Sequence, residues 1–495
     1  MKKYILVIDV GTTVVRSIIF DKQLRIAANA YEKIDLIHPE PNHTEQSPLD
    51  IYEKTVAVIK RSAAESGIEA NEIECIGLST QRATWVPWRR DNGAPLMNMV
   101  VWMDRRAIDI QREYKNDPEF AQRFPVNHHV IQPQNVICTL THVLRRHPRL
   151  RALMEKGEIM FGTVDTWIIY KLTGGRVFAS NASNASTTRL LKQDLVQWDQ
   201  DLFRYAGFSP DMFCSIKNEA DDYGLLDRDI LGREIPITGM VADQQGALFG
   251  QACVEPYSLK STNGTGSFVT CNVGGVYPGM RAPLSLVAWK LPGQLRYMLE
   301  GFLITSGAAL EWLKNELGMI SSFKEVDEIT ARTPSSEGVF FSPALSGFRT
   351  PLNDPTARAA FLGISVSTTR AQCVRAVMES IAFANCHIIE DMRAQLNIPS
   401  LKVIRLSGGA ARNDLLGQMI ANIAGIKVEK PLSLEASAVS AALFAGIRTG
   451  SYSLGNAHRD MVIEKIYEPD DKQEQHQRDF AAWKQAINRT LDWTF

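Results

Sequence analysis

The strongest constraint on the fold lies in the first twenty residues, which predict a β-hairpin with a polar turn. Tyr4 to Ile8 is an apolar run, Asp9-Val10-Gly11-Thr12-Thr13 follows it, and Val14 to Phe20 is a second β-rich run. Residues of high β-propensity on both sides of a short turn containing glycine are typical of two adjacent antiparallel strands. A chain that begins this way has a sheet near its N-terminus and carries a carboxylate beside the turn.

The same pattern returns about half a chain later. Tyr257 to Ser261 leads into Asn263-Gly264-Thr265-Gly266-Ser267, and Phe268 to Val273 is again β-rich. A strand, a turn of glycine and threonine, and a second strand therefore occur twice in the same order. This repeat predicts two lobes of related build.

Helical patterns between the strands indicate an α/β fold. Leu49 to Ala64 has helical spacing, Ile73 to Leu78 has the composition of a strand, and Leu401 to Leu406 is a buried strand followed by a helix from Asp414 to Ile423. Strands that alternate with helices predict an α/β architecture. Apolar residues from Phe480 onwards recur at helical spacing, so we expect an amphipathic helix at the end of the chain.

The net charge and the cysteine pattern argue against several classes of binding partner and metal site. The 54 basic and 55 acidic residues give a formal net charge of −1, so no strong field draws the protein to nucleic acid or to an anionic membrane. The seven cysteines are scattered without a CxxC pair, which argues against a disulfide framework and a zinc site. Asp9 ends the N-terminal apolar run too early for a signal peptide, and no later apolar stretch is long enough to cross a bilayer. We expect a cytoplasmic protein that acts on a small mobile molecule.

The polar turn after the first strand has the composition of a site for phosphate and Mg²⁺. Its glycine lets backbone N–H groups approach a phosphate, the hydroxyls of Thr12 and Thr13 can donate to it, and Asp9 can hold Mg²⁺ directly or through water. Arg16 adds a charge-assisted donor. By itself, this pattern is also that of an ordinary hairpin turn. The second turn, at residues 264–266, strengthens the phosphate interpretation, because a nucleotide held by two lobes needs contacts from both.

A second carboxylate lies at the end of a short apolar strand. Asp243 follows Ile237 to Ala242 and precedes Gln244 and Gln245. Two interpretations are open. Asp243 could be a helix N-cap that only stabilises the helix, or a general base that takes the proton of a substrate hydroxyl while Gln244 positions the substrate. The local pattern alone favours the N-cap.

Eight segments, taken in order, are similar to motifs of one enzyme family. They are Asp9-x-Gly-Thr-Thr-x-x-Arg16, Trp102-x-Asp104-x-Arg106, Thr163-Val-Asp165-x-Trp167, Leu172-Thr173-Gly174, Asn184-Ala185-Ser186, Asp243-Gln244-Gln245, Gly264-Thr265-Gly266 and Gly408-Gly409-Ala410-x-x-Asn413. The series resembles the FGGY family of carbohydrate kinases, which includes glycerol, xylulose, ribulose and gluconate kinases, over about residues 4 to 450. A collinear set of this length is far more specific than any single motif.

The resemblance implies a two-lobed, ribonuclease H-like fold of the actin and hexokinase type, with a nucleotide and sugar cleft between the lobes. It implies an N-terminal lobe over residues 1–246, a C-terminal lobe over residues 247–460, and a helical tail over residues 461–495 packed on the lobes. The implied cofactors are ATP and Mg²⁺. The implied reaction is phosphoryl transfer to a hydroxyl of a small sugar or polyol.

The resemblance also implies roles for individual residues. Asp243 would be the catalytic base, and Arg82, Trp102 and Gln244 would bind the sugar. Asp9 would act through Mg²⁺. The residues implied to contact the nucleotide are Thr12, Thr13, Arg16, Thr265, Gly307, Glu311, Gly409, Ala410 and Asn413.

Two positions depart from the glycerol kinases of the family. Where those enzymes have Arg-Glu, this chain has Arg82-Ala83, and where they have a substrate-facing Tyr it has Gln134. Losing two hydrogen-bonding groups from a small polar pocket weakens binding of the same substrate by several kcal/mol. We therefore expect a four- to six-carbon ketose or polyol to be preferred over glycerol.

Three classes of function are compatible with the sequence. The first is a sugar or polyol kinase, the second an actin-like or chaperone-like ATPase that binds a partner, and the third a sugar-sensing pseudokinase. Arg82, Trp102 and Asp243 argue for an intact sugar site, and the presence of both Asp9 and Asp243 argues against a pseudokinase. An atypical glycerol kinase is the alternative within the first class. A homodimer or a larger homo-oligomer is compatible with the sequence.

Overall fold

The computed structural model describes residues 3–192, 194–279, 284–397, 400–432, 435–459 and 461–493. The chain divides into two structural units. Unit 1 consists of Met1–Gly250, Leu286–Tyr297 and Glu435–Asp460. Unit 2 consists of Gln251–Ser285, Met298–Leu434 and Met461–Phe495.

The strands are numbered in chain order. They are β1 (Tyr4–Val10), β2 (Val14–Asp21), β3 (Ile26–Lys33), β4 (Glu45–Gln46), β5 (Ile73–Thr80), β6 (Trp85–Arg89), β7 (Met99–Val100), β8 (Ile159–Thr163), β9 (Ala179–Asn181), β10 (Ser215–Lys217), β11 (Ile237–Ala242), β12 (Ser258–Asn263), β13 (Ser267–Gly274), β14 (Leu284–Leu291), β15 (Gln294–Leu303), β16 (Phe340–Ser342), β17 (Ala360–Leu362), β18 (Val403–Ser407), β19 (Val428–Pro431) and β20 (Ile463–Tyr467).

The α-helices are numbered in the same way. They are α1 (Pro48–Ser66), α2 (Ile108–Asn116), α3 (Pro118–Arg123), α4 (Pro125–Val130), α5 (Val136–Arg146), α6 (Pro148–Glu155), α7 (Val164–Leu172), α8 (Ala182–Thr187), α9 (Gln200–Ala206), α10 (Arg228–Leu231), α11 (Asp243–Gly250), α12 (Gly307–Asn315), α13 (Phe323–Arg332), α14 (Arg370–Leu396), α15 (Asp414–Ala424), α16 (Ala436–Thr449) and α17 (Gln473–Ile487).

Unit 1 contains a five-stranded sheet with the strand order β11-β5-β1-β2-β3. Strands β11, β5 and β1 are parallel, whereas β1, β2 and β3 are connected as antiparallel neighbours. Asp9 of β1 pairs with Arg16 on one side and with Ser79 on the other, and Ala242 of β11 pairs with Thr80 of β5. The carboxyl ends of the three parallel strands therefore meet at one edge of the sheet, which is where open α/β sheets bind their ligands.

Helix α16 packs on one face of this sheet at very short range. A Cβ atom on Gly77 of β5 would lie 2.3 Å from the carbonyl oxygen of Ala441, and one on Gly239 of β11 would lie 2.4 Å from the nitrogen of Ala445. Only glycine leaves room for the helix backbone at these two positions. Helix α16 thus covers part of the unit 1 sheet, although it follows most of unit 2 in the chain.

A second sheet of unit 1 is four-stranded, with the order β4-β7-β6-β8. Its strands β6 and β8 pair along their length in antiparallel register. An aromatic cluster packs beside it, in which Trp85 contacts Phe161 and Phe203 stacks on Phe213 with ring centroids 4.0 Å apart. This cluster holds β6 in place, and β6 is the strand that follows β5 in the chain.

In the sheet of unit 2, strands β13, β12, β18, β19 and β20 are neighbours in that order. Strands β12 and β13 form an antiparallel hairpin, and β12 pairs with β18 in parallel. The long helix α14 begins with a capping box between Thr369 and Gln372, and it contributes Val377, Ile381 and Ile388 to the core. A parallel pair next to a hairpin places the turn of the hairpin and the loop after β18 at the same end of the sheet.

The structure confirms the secondary structure expected at both copies of the repeated pattern. Strands β1 and β2 flank the first glycine-threonine turn, and β12 and β13 flank the second. The expected helix after residue 48 is α1, which ends at Gly67 in the left-handed conformation with φ 67°. The expected closing helix is α17, which buries Phe480 and Trp483. Across the described ranges, every helix is too short or too polar to cross a lipid bilayer.

Candidate active site

Three neighbouring parallel strands of unit 1 bring the polar residues of the candidate site together. Asp9 lies near the end of β1, Gln81 and Arg82 follow β5 directly, and Asp243 follows β11 as the first residue of α11. The strands run in the same direction and are adjacent in the sheet. Side chains from distant parts of the sequence therefore lie at one edge of the sheet.

Asp9 forms an ion pair with Arg16 of the adjacent strand. Asp9 is 6% exposed, and Arg16 Nε donates to Asp9 Oδ2 over 3.1 Å. A terminal N–H of Arg16 donates to the same oxygen, and the other terminal nitrogen donates to Glu435. Burial by itself lowers the pKa of Arg16, but the carboxylates of Asp9 and Glu435 outweigh it and raise that pKa. Arg16 therefore stays charged and holds both carboxylates in place.

The position of Asp9 fits a divalent cation that is shared with a phosphate. Arg16 donates to one oxygen of Asp9, so the second oxygen can face a cation or its water. Among the residues that the structure describes, no three or more His, Cys, Asp or Glu side chains converge into a cage for a metal ion. Mg²⁺ in phosphoryl-transfer enzymes is usually held by one or two carboxylates together with phosphates and waters. The contact between Asp9 and Mg²⁺ stays a prediction.

Thr12 and Trp102 belong to one hydrogen-bond network. Trp102 Nε1 donates to Thr12 Oγ1 over 3.1 Å, and Thr12 Oγ1 donates to Gln81 Oε1 over 3.2 Å. Gln81 Oε1 also accepts from Thr84 Oγ1, and Gln81 Nε2 donates to Gln46 Oε1 over 2.9 Å. The amide of Gln46 in turn donates to the carbonyl oxygen of Thr12 over 2.6 Å. The predicted phosphate-side residue Thr12 thus directly contacts the predicted sugar-side residue Trp102.

The buried carboxylate of Asp104 orders the segment that follows Trp102. Asp104 is fully buried and accepts from the N–H of Thr44 over 2.6 Å and from Arg106 Nε over 2.9 Å. Arg106 also donates to Glu45 Oε1 over 2.7 Å. Burial by itself lowers the pKa of Arg106, while Asp104 and Glu45 raise it overall. These contacts connect the loop after β7 to β4 and so fix the direction in which Trp102 projects.

Asp243 is oriented by a cation and by a backbone N–H group. Arg82 Nε lies 3.3 Å from Asp243 Oδ1, and the N–H of Gln244 donates to the same oxygen over 2.6 Å. Arg82 Nη1 donates to Gln245 Oε1 over 3.3 Å. The side chain of Asp243 is 32% exposed, against 14% for Arg82. The carboxylate is therefore held in position and is still accessible to a small molecule.

The two positions that depart from glycerol kinases differ in their surroundings. Ala83 has a left-handed backbone with φ 57° and packs against the cluster that contains Ile131 and Val136. Between these two residues lies Gln134, whose Oε1 is buried without a hydrogen-bond partner among the described residues. Leaving a buried acceptor unsatisfied costs about 1–3 kcal/mol.

In unit 2, the second glycine-threonine turn packs against the start of α12. The N–H of Gly307 donates to the carbonyl of Gly264 over 2.9 Å, and the N–H of Ala308 donates to the carbonyl of Thr265 over 3.0 Å. A Cβ atom on Gly307 would lie 2.6 Å from the Gly264 oxygen, so glycine is required at this contact. Thr265 is exposed at the tip of the turn. The predicted nucleotide residues Thr265 and Gly307 are thus neighbours.

The loop after β18 passes against the end of β12. Gly408 has φ 94°, and a Cβ atom there would lie 2.4 Å from the carbonyl oxygen of Asn263. Asn413 is 7% exposed and caps α15, because its side chain accepts from the N–H of Leu415 over 3.0 Å. Its amide group donates to Asp327 Oδ1 over 2.7 Å. Asn413 therefore shapes the loop through contacts within the protein.

The other predicted nucleotide residues differ in exposure. Thr13, Glu311 and Gly409 are exposed, and Ala410 is buried. Gly409 and Ala410 lie in the loop directly after Gly408, at the end of the sheet that carries the Thr265 turn. The structure therefore brings Gly409, Ala410, Thr265 and Gly307 to neighbouring segments of unit 2. Their contact with a nucleotide stays a prediction.

Four residues without a predicted role support the candidate site. Glu435 pairs with Arg16, Gln81 and Gln46 hydrogen-bond to Thr12, and Gln245 accepts from Arg82. Gln81 adjoins Arg82 in the sequence, and Gln245 belongs to the Asp243-Gln244-Gln245 motif, so both positions carry a sequence signal. Glu435 carries no such signal, because its partner lies near the other end of the chain.

Comparisons with known proteins agree with this geometry. The model of the N-terminal domain of the FGGY family of carbohydrate kinases matches residues 4–250, and the model of the C-terminal domain matches residues 261–449. Glycerol kinase 2 of Thermotoga maritima is 36% identical over 495 residues, covering 99% of both chains. Glycerol kinase of Citrifermentans bemidjiense is also 36% identical, over 493 residues and with the same coverage.

Solved structures give the same result. Plasmodium falciparum glycerol kinase with ADP superposes with a TM-score of 0.92 at 25% identity, covering 99% of each chain. Gluconate kinase from Lactobacillus acidophilus superposes with a TM-score of 0.87 at 20% identity over 98% of each chain, which supports the fold alone.

The chain belongs to the FGGY family of carbohydrate kinases. It has the two-domain kinase fold of that family, and it is an ATP-dependent phosphotransferase whose cofactors are ATP and Mg²⁺. The resemblance, the fold class, the enzyme class and the cofactors expected from the sequence are thereby confirmed.

Proposed function

We propose that the chain transfers the γ-phosphoryl group of ATP to a hydroxyl of a small polyol or ketose, with Asp243 as the general base. One observation carries this proposal. Arg82 and the N–H of Gln244 hold the carboxylate of Asp243 at the sheet edge where the turn after β1, the predicted phosphate site, also lies. An accessible, oriented carboxylate next to a phosphate-binding turn is what phosphoryl transfer to an alcohol requires.

Each residue of the site has a distinct part in this reaction. Asp243 takes the proton of the attacking hydroxyl as its oxygen bonds to phosphorus and the bond from phosphorus to the ADP oxygen breaks. Arg82 orients Asp243, and Trp102 offers a flat apolar wall to the carbon chain of the substrate. When bound at Asp9, Mg²⁺ supplies charge neutralisation at the phosphates. Arg16 keeps Asp9 in place for that contact.

For the substrate, we propose a four- to six-carbon polyol or ketose. Ala83 has no acceptor group, and the buried Oε1 of Gln134 has no partner among the described residues. A substrate longer than glycerol has further hydroxyl groups of its own, which suits a pocket that lacks the acceptor at residue 83. The second candidate is glycerol itself, which is favoured by the names of the relatives at 36% identity.

Parallel kcat/KM measurements decide between the two substrates. Purified protein is assayed for ADP release with glycerol and with a panel of tetritols, pentitols, ketopentoses and ketohexoses. We expect glycerol to be at least ~10²-fold less efficient than the best panel member, because a site with missing polar partners discriminates by that factor or more. If glycerol is the best substrate, the assignment to longer substrates is wrong and the protein is a glycerol kinase. ADP release that does not depend on any added alcohol would argue against a kinase of this class.

We also propose a cytoplasmic location. Every cysteine is free in the structure, and most are buried. Free thiols are typical of proteins in reducing compartments. Fractionation of the native host, with antibody detection, tests this expectation.

A further inference from the structure

Glu219 is a buried carboxylate that is connected to Asp243, the proposed base, through hydrogen bonds within unit 1. Glu219 is fully buried in the loop between β10 and β11. Its Oε1 accepts from the N–H of Ser183 over 2.8 Å, and its Oε2 accepts from the N–H of Lys290. The main chain of Glu219 also accepts from the N–H of Met240 in β11 over 2.9 Å. Glu219 thus joins three separate segments of unit 1.

Ser183 connects Glu219 to the segment that carries Asp243, because it accepts two hydrogen bonds from that segment. The Oγ of Ser183 accepts from the N–H of Ala242, the residue directly before Asp243, over 3.1 Å. The carbonyl of Ser183 accepts from Gln245 Nε2 over 3.2 Å. The Oε1 of Gln245 then accepts from Arg82, which lies 3.3 Å from the carboxylate of Asp243. Both arms of the connection therefore end at the proposed base.

We propose that Glu219 is a positioning residue whose ionised carboxylate sets the orientation of Asp243 through Ser183. The proposal rests on the proposed function, because it assumes that Asp243 is the base. Glu219 contacts neither substrate nor nucleotide in this scheme, and it acts only by holding α8 and the junction of β11 and α11 in register.

The hydrogen bonds at Glu219 depend on its protonation state. As a carboxylate, it offers an acceptor to each of the two N–H groups from Ser183 and Lys290. Once protonated, one of its oxygens carries a hydrogen and becomes a poor acceptor. Burial raises the pKa of Glu219 to about 7, against the opposing effect of these hydrogen bonds. The connection to Asp243 is therefore intact above about pH 7 and weakens as the pH falls through that value.

Tyr223 is an ionisable side chain that interacts electrostatically with Glu219, and two further carboxylates act on Tyr223. Asp221 lies on the same loop, and Asp165 lies on α7. Burial, followed by the charges of Glu219, Asp221 and Asp165, raises the pKa of Tyr223 well above its usual value, so this phenol stays neutral. Burial also raises the pKa of Asp165. From β14, Lys290 contributes its main-chain N–H group.

The test is the pH profile of kcat for wild type and for Glu219→Gln. Wild-type kcat should fall about tenfold between pH 8 and pH 6, since small misplacements of reacting groups have effects of this order or larger. Glu219→Gln resembles the protonated form, because its amide also offers only one acceptor. We expect its kcat to match the low-pH plateau of wild type and to lose the change near pH 7. KM for ATP should stay within about twofold, because no nucleotide residue is altered.

Two further variants complete the test. Asp391→Asn is the matched control, because burial also raises the pKa of Asp391, which lies on α14 in unit 2. It should keep the wild-type profile. Ser183→Ala removes the hydroxyl that accepts from Ala242 and keeps the connection through Gln245, so it should lower kcat and reduce the change near pH 7. Ser183→Ala also tests the connection to Asp243 if Glu219→Gln does not fold.

The outcomes separate this inference from the proposed function. A wild-type kcat that is constant from pH 6 to pH 8.5, or a Glu219→Gln profile that keeps the change near pH 7, overturns the role of Glu219. Loss of turnover in Asp243→Asn together with either of these results leaves the proposed function standing and removes only the role of Glu219. Full turnover in Asp243→Asn removes the proposed function instead.

Discussion

Asp243→Asn is the substitution that separates the two interpretations of this acid. Asparagine has the same shape as aspartate but cannot accept a proton from a hydroxyl at neutral pH. If Asp243 is the general base, kcat should fall by ~10²–10⁴-fold. If Asp243 only stabilises the start of α11, asparagine is an equally good cap and kcat should change little.

The structure indicates that this loss of activity will come without loss of the fold. Asparagine keeps the oxygen that accepts from the N–H of Gln244. It loses the ion pair with Arg82, but Arg82 keeps its hydrogen bond to Gln245. Because both side chains are partly exposed, the lost pair destabilises the protein by about 1 kcal/mol or less. The melting temperature and the affinity for ATP should therefore be close to those of wild type.

The assay is ADP release with the best substrate of the panel, combined with thermal unfolding and ATP binding on the same preparations. Asp227→Asn is the matched control, because Asp227 caps α10 by accepting from the N–H of Asp229 over 3.0 Å. This variant should keep turnover within about twofold, since asparagine caps helices as well as aspartate does. An Asp243→Asn protein that retains more than half of wild-type turnover would refute the assignment of Asp243 as the base.

Three other changes test the remaining parts of the site. Asp9→Ala should raise the Mg²⁺ concentration needed for half-maximal rate without weakening sugar binding, and a loss of sugar affinity at unchanged Mg²⁺ dependence would contradict its place on the metal side. Ala83→Glu should raise kcat/KM for glycerol relative to the panel, because it restores an acceptor at that position, and an unchanged ratio would argue against a role for residue 83 in selectivity. Gly408→Ala should lower the free energy of unfolding, measured in denaturant, by about 2 kcal/mol or more. The reason is that residue 408 has a positive φ and that a Cβ atom there would lie 2.4 Å from the Asn263 oxygen. Gly409 has open space around it and should tolerate alanine better.

Local sequence was sufficient to predict the parts of the site that depend on neighbouring residues. The turn between β1 and β2 fixes the register that pairs Asp9 with Arg16, so a hairpin pattern already places the two side chains together. The apolar run before Asp243 likewise predicts a carboxylate at the end of a strand. Both conclusions follow from the periodicity of a strand and the chemistry of a turn.

Contacts between distant segments could not be predicted in this way. Arg82 meets Asp243 only because β5 and β11 are adjacent and parallel, and strand order is a property of the whole sheet. Glu219 lies in a loop without any periodic pattern, and its partners Ser183 and Lys290 are remote in the chain. The resemblance to a family supplied the role of Asp243, but it gave no reason to consider Glu219.

Unit 1 includes residues 435–460, which are synthesised late, and this has a consequence for the biosynthesis of the protein. When a ribosome has completed residue 250, the sheet of unit 1 is present but α16, which packs against Gly77 and Gly239, has not been made. At ~5–20 residues per second, roughly 10–40 s pass before that helix emerges. During this interval an apolar sheet face stays uncovered, and it is a natural binding site for chaperones. For the same reason, a protein cut after residue 250 should aggregate, and a peptide containing residues 435–460 supplied with it should increase the soluble fraction.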